Sequence, residues 1–181
     1  MHALALGAAA ERAVEFGTVA HVSRRDYAEH QTFSFRAPAP VLEYISLLIE
    51  NSLLLRTHRG GRVYAGFGRL SSMEGVVDRY MRIADVSERV YAFGEEDWGP
   101  PRHPNLRVVA TPGGAPLARE LFVIADSPSL RAALVALCED GPAHAAPDLR
   151  HFSALKTGDP QLVRRLAEAA EAAAEKWLAE Q

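Results

Sequence analysis

Apolar residues recur with two different periods along this chain, and the points where the period changes mark out strands and helices. QTFSFR at Gln31 to Arg36 alternates polar and aromatic residues, which predicts a short strand ended by Pro38 and Pro40. Pro40 suits the first turn of a helix. Val41, Tyr44, Ile45, Leu48 and Ile49 follow at helical spacing and predict a helix over Val41 to Asn51 that exposes Glu43 and Glu50. After a Gly60-Gly61 turn, Val63 to Leu70 reads as a strand with Val63, Ala65 and Phe67 on one face. Tyr64, Gly66 and Gly68 lie on the other, where the glycines leave a bare patch that a neighbour or a ligand could approach. Val76, Tyr80, Ile83 and Ala84 form the stripe of a further helix that turns Asp78, Arg82 and Asp85 away.

VYAFG at Val90 to Gly94, LRVVA at Leu106 to Ala110 and ELFVIAD at Glu120 to Asp126 predict three more strands. The last is nearly continuously apolar, as a central strand covered on both faces should be. Ser127-Pro128 reads as a cap followed by a first-turn proline. Leu130, Leu134, Leu137 and Cys138 then predict a helix ended near Gly141, with a loop over Pro142 to Asp148. HFSALKT predicts a final strand, and Asp159-Pro160 opens a long terminal helix with Leu162, Leu166, Ala170, Ala173 and Trp177 along one side. Residues 1–15 suggest a short amphipathic helix. Together these elements predict an α/β or α+β fold: a single mixed sheet of about five strands with helices packed on it and a long C-terminal helix. Residues 1–39 form an N-terminal helix and linker region, and 40–181 the domain proper.

Composition narrows the chemistry. Lys and Arg number 20 against 23 Asp and Glu, a net charge of -3 with interspersed signs, so no basic footprint for nucleic acid is present. The apolar window Tyr44 to Leu55 is broken by Glu50 and Asn51, well short of the ~20 residues of a membrane helix. The apolar run Ala3 to Ala10 has no preceding Lys or Arg and is followed at once by Glu11 and Arg12, unlike an export signal. The lone Cys138 excludes an internal disulfide and suits a reducing cytoplasm, and its acidic neighbours Glu139 and Asp140 argue against a reactive thiolate. Gly66 to Ser71 begins like a dinucleotide fingerprint but has Ser71 at the third glycine position, with the glycines inside a strand. The histidines never pair at ligand spacing, and Glu95, Glu96 and Asp97 read as solvated loop acids.

The spaced series YAGFGRLSS at Tyr64 to Ser72, DRYMRIA at Asp78 to Ala84, VYAFG at Val90 to Gly94 and RELFVIADSP at Arg119 to Pro128 resembles the DICT sensory domain, a bacterial signalling module found beside diguanylate cyclases and two-component proteins. The likeness takes in most of residues 40 to 166. It implies a non-enzymatic cytoplasmic input module that senses a small molecule or a partner protein and relays its state in trans; it names no cofactor, and neither nucleic acid nor membrane is an expected partner. Two alternatives stand beside it: a small metabolite-acting enzyme with Arg69, Arg79 or Glu120 in a pocket, and a structural dimerisation module. The aromatics and arginines of the matched segments, Phe67, Arg69, Arg79, Tyr80, Tyr91 and Phe93, with Arg119 and Glu120, are the candidate ligand-binding residues. An Arg beside an aromatic can clamp a planar or anionic ligand, or can pair with Asp78 or Glu120 to fix the fold. Leu162, Leu166, Trp177 and Leu178 on the terminal helix are the candidate contacts for a partner or a second copy.

Overall fold

One sheet organises the chain, and every apolar run between Thr32 and Thr157 that was read as a strand joins it. The computed structural model describes residues 32–56, 59–139 and 150–179. The helix expected within residues 1–15 and the loop expected over 142–148 lie outside the described residues. The strands are β1 (Thr32–Pro38), β2 (Arg62–Arg69), β3 (Arg89–Glu95), β4 (Leu106–Thr111), β5 (Glu120–Asp126), β6 (Arg131–Cys138) and β7 (His151–Thr157). They form a seven-stranded mixed sheet in the order β1-β7-β6-β5-β2-β3-β4. β2, β3 and β4 run parallel, and all other neighbours are antiparallel. β1 pairs with β7 along its whole length, so the sheet begins ahead of residue 40.

Both faces are covered. Helices α1 (Ala39–Leu55) and α2 (Val77–Val86) pack on one face, where Leu42, Ile49, Leu53, Tyr80 and Ile83 meet Val63, Ala65, Val90, Val123, Leu134 and Phe152. Helix α3 (Pro160–Ala179) closes the other, laying Leu162, Val163, Leu166, Ala170 and Ala174 on Tyr64, Phe93, Phe122, Ile124 and Val135. The small alanines let α3 approach the sheet closely. Asp159 caps it as its sequence predicts, its Oδ1 accepting from the N–H groups of Gln161 and Leu162 at 2.8 and 2.9 Å.

Residues 131–138 correct the sequence reading: they form strand β6, and the helix expected from Leu130 to Cys138 does not exist. Ser127 does accept at Oγ from the Leu130 N–H, 3.0 Å, as an N-cap would, but its own N–H donates back to the Leu130 carbonyl at 3.0 Å and closes a hairpin turn. Asp126 and Arg131 then face each other across β5 and β6, joined by a 3.0 Å ion pair. An unbroken apolar run of this length reads equally as helix or as doubly covered strand, and the hairpin decides it. With β6 and the N-terminal β1, the sheet has seven strands where about five were expected.

The bare patch expected at Gly66 is filled from within the fold. Gly66 lies opposite Phe122 on β5, and a Cβ there would fall 2.2 Å from the Phe122 ring. Gly68, at φ 72°, takes the left-handed backbone of the bulge that shifts β2 against β3 between Gly66 and Arg69. Gly66→Ala should therefore destabilise the protein by about 2 kcal/mol or more in denaturant unfolding, because the ring is packed on all sides. The loss should shrink in a Phe122→Leu background, which a double-mutant cycle measures.

Candidate functional site

Helix α1 is held in place by a buried acid. Glu50 follows Ile49 on the face turned toward α2 and is only 4% exposed, correcting the expectation that it points to solvent. Its carboxylate accepts from the Tyr80 hydroxyl at 2.8 Å and from Arg79 Nη1 at 2.9 Å. Burial, reinforced by the Glu50 carboxylate, pushes the Tyr80 phenol well above its ordinary range, so it stays a neutral donor. Phe67 meets Tyr80 edge-on with ring centroids 5.2 Å apart. Arg79 and Tyr80 are thus bound to a helix they do not belong to, and the carboxylate fixes the angle at which α1 crosses the sheet.

That position opens a cleft of about 380 Å³ between the C-terminal half of α1, the β5–β6 turn and the end of β7. Its volume lies at the lower end of the ~300–1,000 Å³ usual for small-molecule sites, which suits a metabolite better than a dinucleotide. Ile45, Leu48 and Ile49 of α1 form one wall, and Leu130 and Ala132 part of the other. Arg56, Arg131 and Lys156 bring positive charge to it. On its outer side α1 also carries exposed apolar residues, with Val41 43%, Tyr44 61%, Leu48 48% and Leu55 84% exposed. Leu48 belongs to both surfaces.

The eight residues expected to bind a ligand do not meet in one place. Phe67, Arg79 and Tyr80 lie on the α1–α2 side of the sheet, while Tyr91 and Phe93 lie on the α3 side. There Tyr91 stacks on Tyr64 at 5.2 Å and Phe93 packs against Phe122 at 5.5 Å. Arg69 is exposed at the end of β2, 3.8 Å from the Glu95 carboxylate. Arg119 Nη2 donates to the Cys138 carbonyl at 3.0 Å, and Glu120 is fully buried in β5. Arg79 pairs with Glu50 in place of the Asp78 or Glu120 first considered. None of the eight lines the cleft.

Of the terminal-helix residues, Leu162 and Leu166 are buried against the sheet, and Trp177 and Leu178 are half-buried at the far end of the same apolar cluster. Lys176 Nζ stands 4.5 Å over the Trp177 ring. The acids of the Glu95 to Asp97 loop are tied in where solvated side chains were expected. Asp97 accepts from the Ser71 N–H and hydroxyl, 2.9 and 2.6 Å, which holds its carboxyl below the usual range. Glu95 accepts from the Gly114 N–H at 3.0 Å. The cleft residues carry only weak signals in sequence: an acid inside the apolar window Tyr44 to Leu55, and a Ser-Pro turn that also reads as a helix start.

The chain belongs to the DICT family, the sensory domain in diguanylate cyclases and two-component systems, whose model matches residues 36–139, more than half of its length. No curated protein matches it. Among solved structures it is similar to Nuc, a phospholipase D family member from Salmonella typhimurium, at 13% identity over 81% of this chain and 96% of that one, with a TM-score of 0.43. NucT from Helicobacter pylori aligns at 14% identity over 80% and 97%, TM-score 0.47. TrmBL2, an archaeal chromatin protein, aligns at 14% over 86% and 56%, TM-score 0.46. At this level of likeness none of the three bears on the chemistry of this chain.

Removing Arg79 leaves the Glu50 carboxylate buried with only Tyr80 to satisfy it. Because Arg79 is about a third exposed and water can partly take its place, Arg79→Ala should cost about 2 kcal/mol in urea unfolding. In a Glu50→Gln background the same substitution should cost less than about 1 kcal/mol, since no buried charge is left unpaired. Equal costs in the two backgrounds would show that the pair does not hold α1.

Proposed function

We propose that this chain is a non-enzymatic input module that takes a small molecule into the cleft between α1 and the β5–β6 turn and relays its occupancy through α1 to a signalling partner in trans. Membership of a sensory family supports signal reception. The observation that carries the site is the cleft, because its wall and the exposed apolar stripe are two sides of one helix joined at Leu48. A guest pressing on Ile45 and Leu48 changes what the outer face of α1 presents. The module is read as working in the cytoplasm, in keeping with its single cysteine, and no described helix is long and apolar enough to cross a membrane.

Ser129 is half-buried at the tip of the β5–β6 turn and lines the cleft. Ser129→Trp should fill the opening while leaving the basal thermal midpoint within about 2 °C, since a turn-tip residue contributes little to stability. A metabolite library screened by thermal shift should yield compounds that stabilise the wild-type protein and leave the variant unmoved. A library without hits, or hits that stabilise both proteins equally, would count against the cleft.

A further inference from the structure

Resting on the cleft as the sensory site, we infer that its ligand is an amphiphilic organic anion: a carboxylate-type head on an apolar body, oriented with the head toward the C-terminal end of α1. The charge of the lining decides this. Arg56, Arg131 and Lys156 all face the cleft, and no acidic side chain is among its lining residues. The nearest acids in sequence are already engaged. Asp126 is held by Arg131 Nε at 3.0 Å, and Asp159 is occupied in capping α3. Arg131 is therefore largely balanced, which leaves Arg56 and Lys156 as the charges available to a guest. Lys156 Nζ stands 5.9 Å from the Phe33 ring centroid, a cation–π contact that steadies the ammonium without cancelling its charge.

The polar and apolar parts of the lining are also segregated along α1. Ile45, Leu48 and Ile49 come first and Arg56 last, so the wall grades from aliphatic to cationic over about three turns. Across the cleft, Leu130 and Ala132 face the aliphatic part, and Lys156, on the sheet face covered by α1, supplies the second charge. The hydroxyls add little to recognition. Ser52 donates to the Leu48 carbonyl at 2.8 Å and Ser127 is committed to its own turn, so the lining offers few free donors for a sugar or a base. A cation would meet two like charges, and a neutral apolar guest would leave both without a counter-ion. An anion with an aliphatic or aromatic body satisfies both ends.

The test uses the full chain and three probes of one length and different head: sodium octanoate, octanol and octylammonium. Titration calorimetry should show octanoate binding at least about tenfold more tightly than octanol, and octylammonium most weakly. The octanoate affinity should fall as sodium chloride is raised, with octanol unaffected. The double substitution Arg56→Met with Lys156→Met should weaken octanoate about tenfold or more and change octanol by less than about twofold. Should that variant not fold, the salt dependence of the wild-type protein decides alone. Octanol binding as well as octanoate, or octanoate affinity indifferent to salt, overturns the anionic assignment. Binding of none of the three overturns it as well, yet leaves the sensory cleft to the Ser129→Trp comparison, which fails on its own terms only when no compound separates the two proteins.

Discussion

The geometry of the α1 side of this protein depends on one buried carboxylate. Glu50 is removed from water, and a charge in that position persists only while Arg79 and Tyr80 satisfy it. Both donors come from α2, which crosses between the parallel strands β2 and β3. The consequence is a fixed relation between α1 and the rigid half of the sheet. α1 also meets the β5–β6 hairpin, and between that hairpin and the helix lies the cleft. Apolar packing alone would hold α1 on the sheet without fixing its rotation, since dispersion and burial are weakly directional. The hydrogen bonds to Glu50 supply the direction.

The opposite face of the sheet is built differently. α3 has alanine at the positions of closest approach, and its larger residues Leu162 and Leu166 insert near the strand ends. Arg62 and Glu171 form an ion pair across this interface, and the Tyr64 hydroxyl donates to the same carboxylate at 3.4 Å. This face is a closed apolar layer of rings and small side chains. The asymmetry separates a face that closes the core from a face that leaves room for a guest.

Much of the fold is legible in the sequence because the strand and helix periods are clean where one face is exposed. β2, β3 and the two outer helices of the matched region fall where alternation or helical spacing puts them. Where the surroundings cover both faces, periodicity vanishes. Ala132 to Cys138 is therefore equally readable as helix or strand, and only the backbone closure at Ser127 settles it. The same limit explains the candidate site. Phe67, Tyr80, Tyr91 and Phe93 are close in sequence and dense in aromatics, but the sheet separates the first two from the last two. Sequence shows such residues as a cluster because it does not display sheet sides across a βαβ crossover. Glu50 was misread for a related reason: an acid beside an apolar stripe normally marks the solvent edge, and its two donors lie about thirty residues further on.

Hydrogen–deuterium exchange addresses the central claim, that cleft occupancy is felt along α1. With a compound that stabilises the wild-type protein and not Ser129→Trp, exchange should slow in peptides covering Ile45 to Arg56 and the Ser127 to Leu130 turn. Peptides of α3 should exchange at unchanged rates, because the sheet and its own apolar layer lie between. Protection confined to α3, or spread uniformly over the sheet with no excess at α1, would contradict the account.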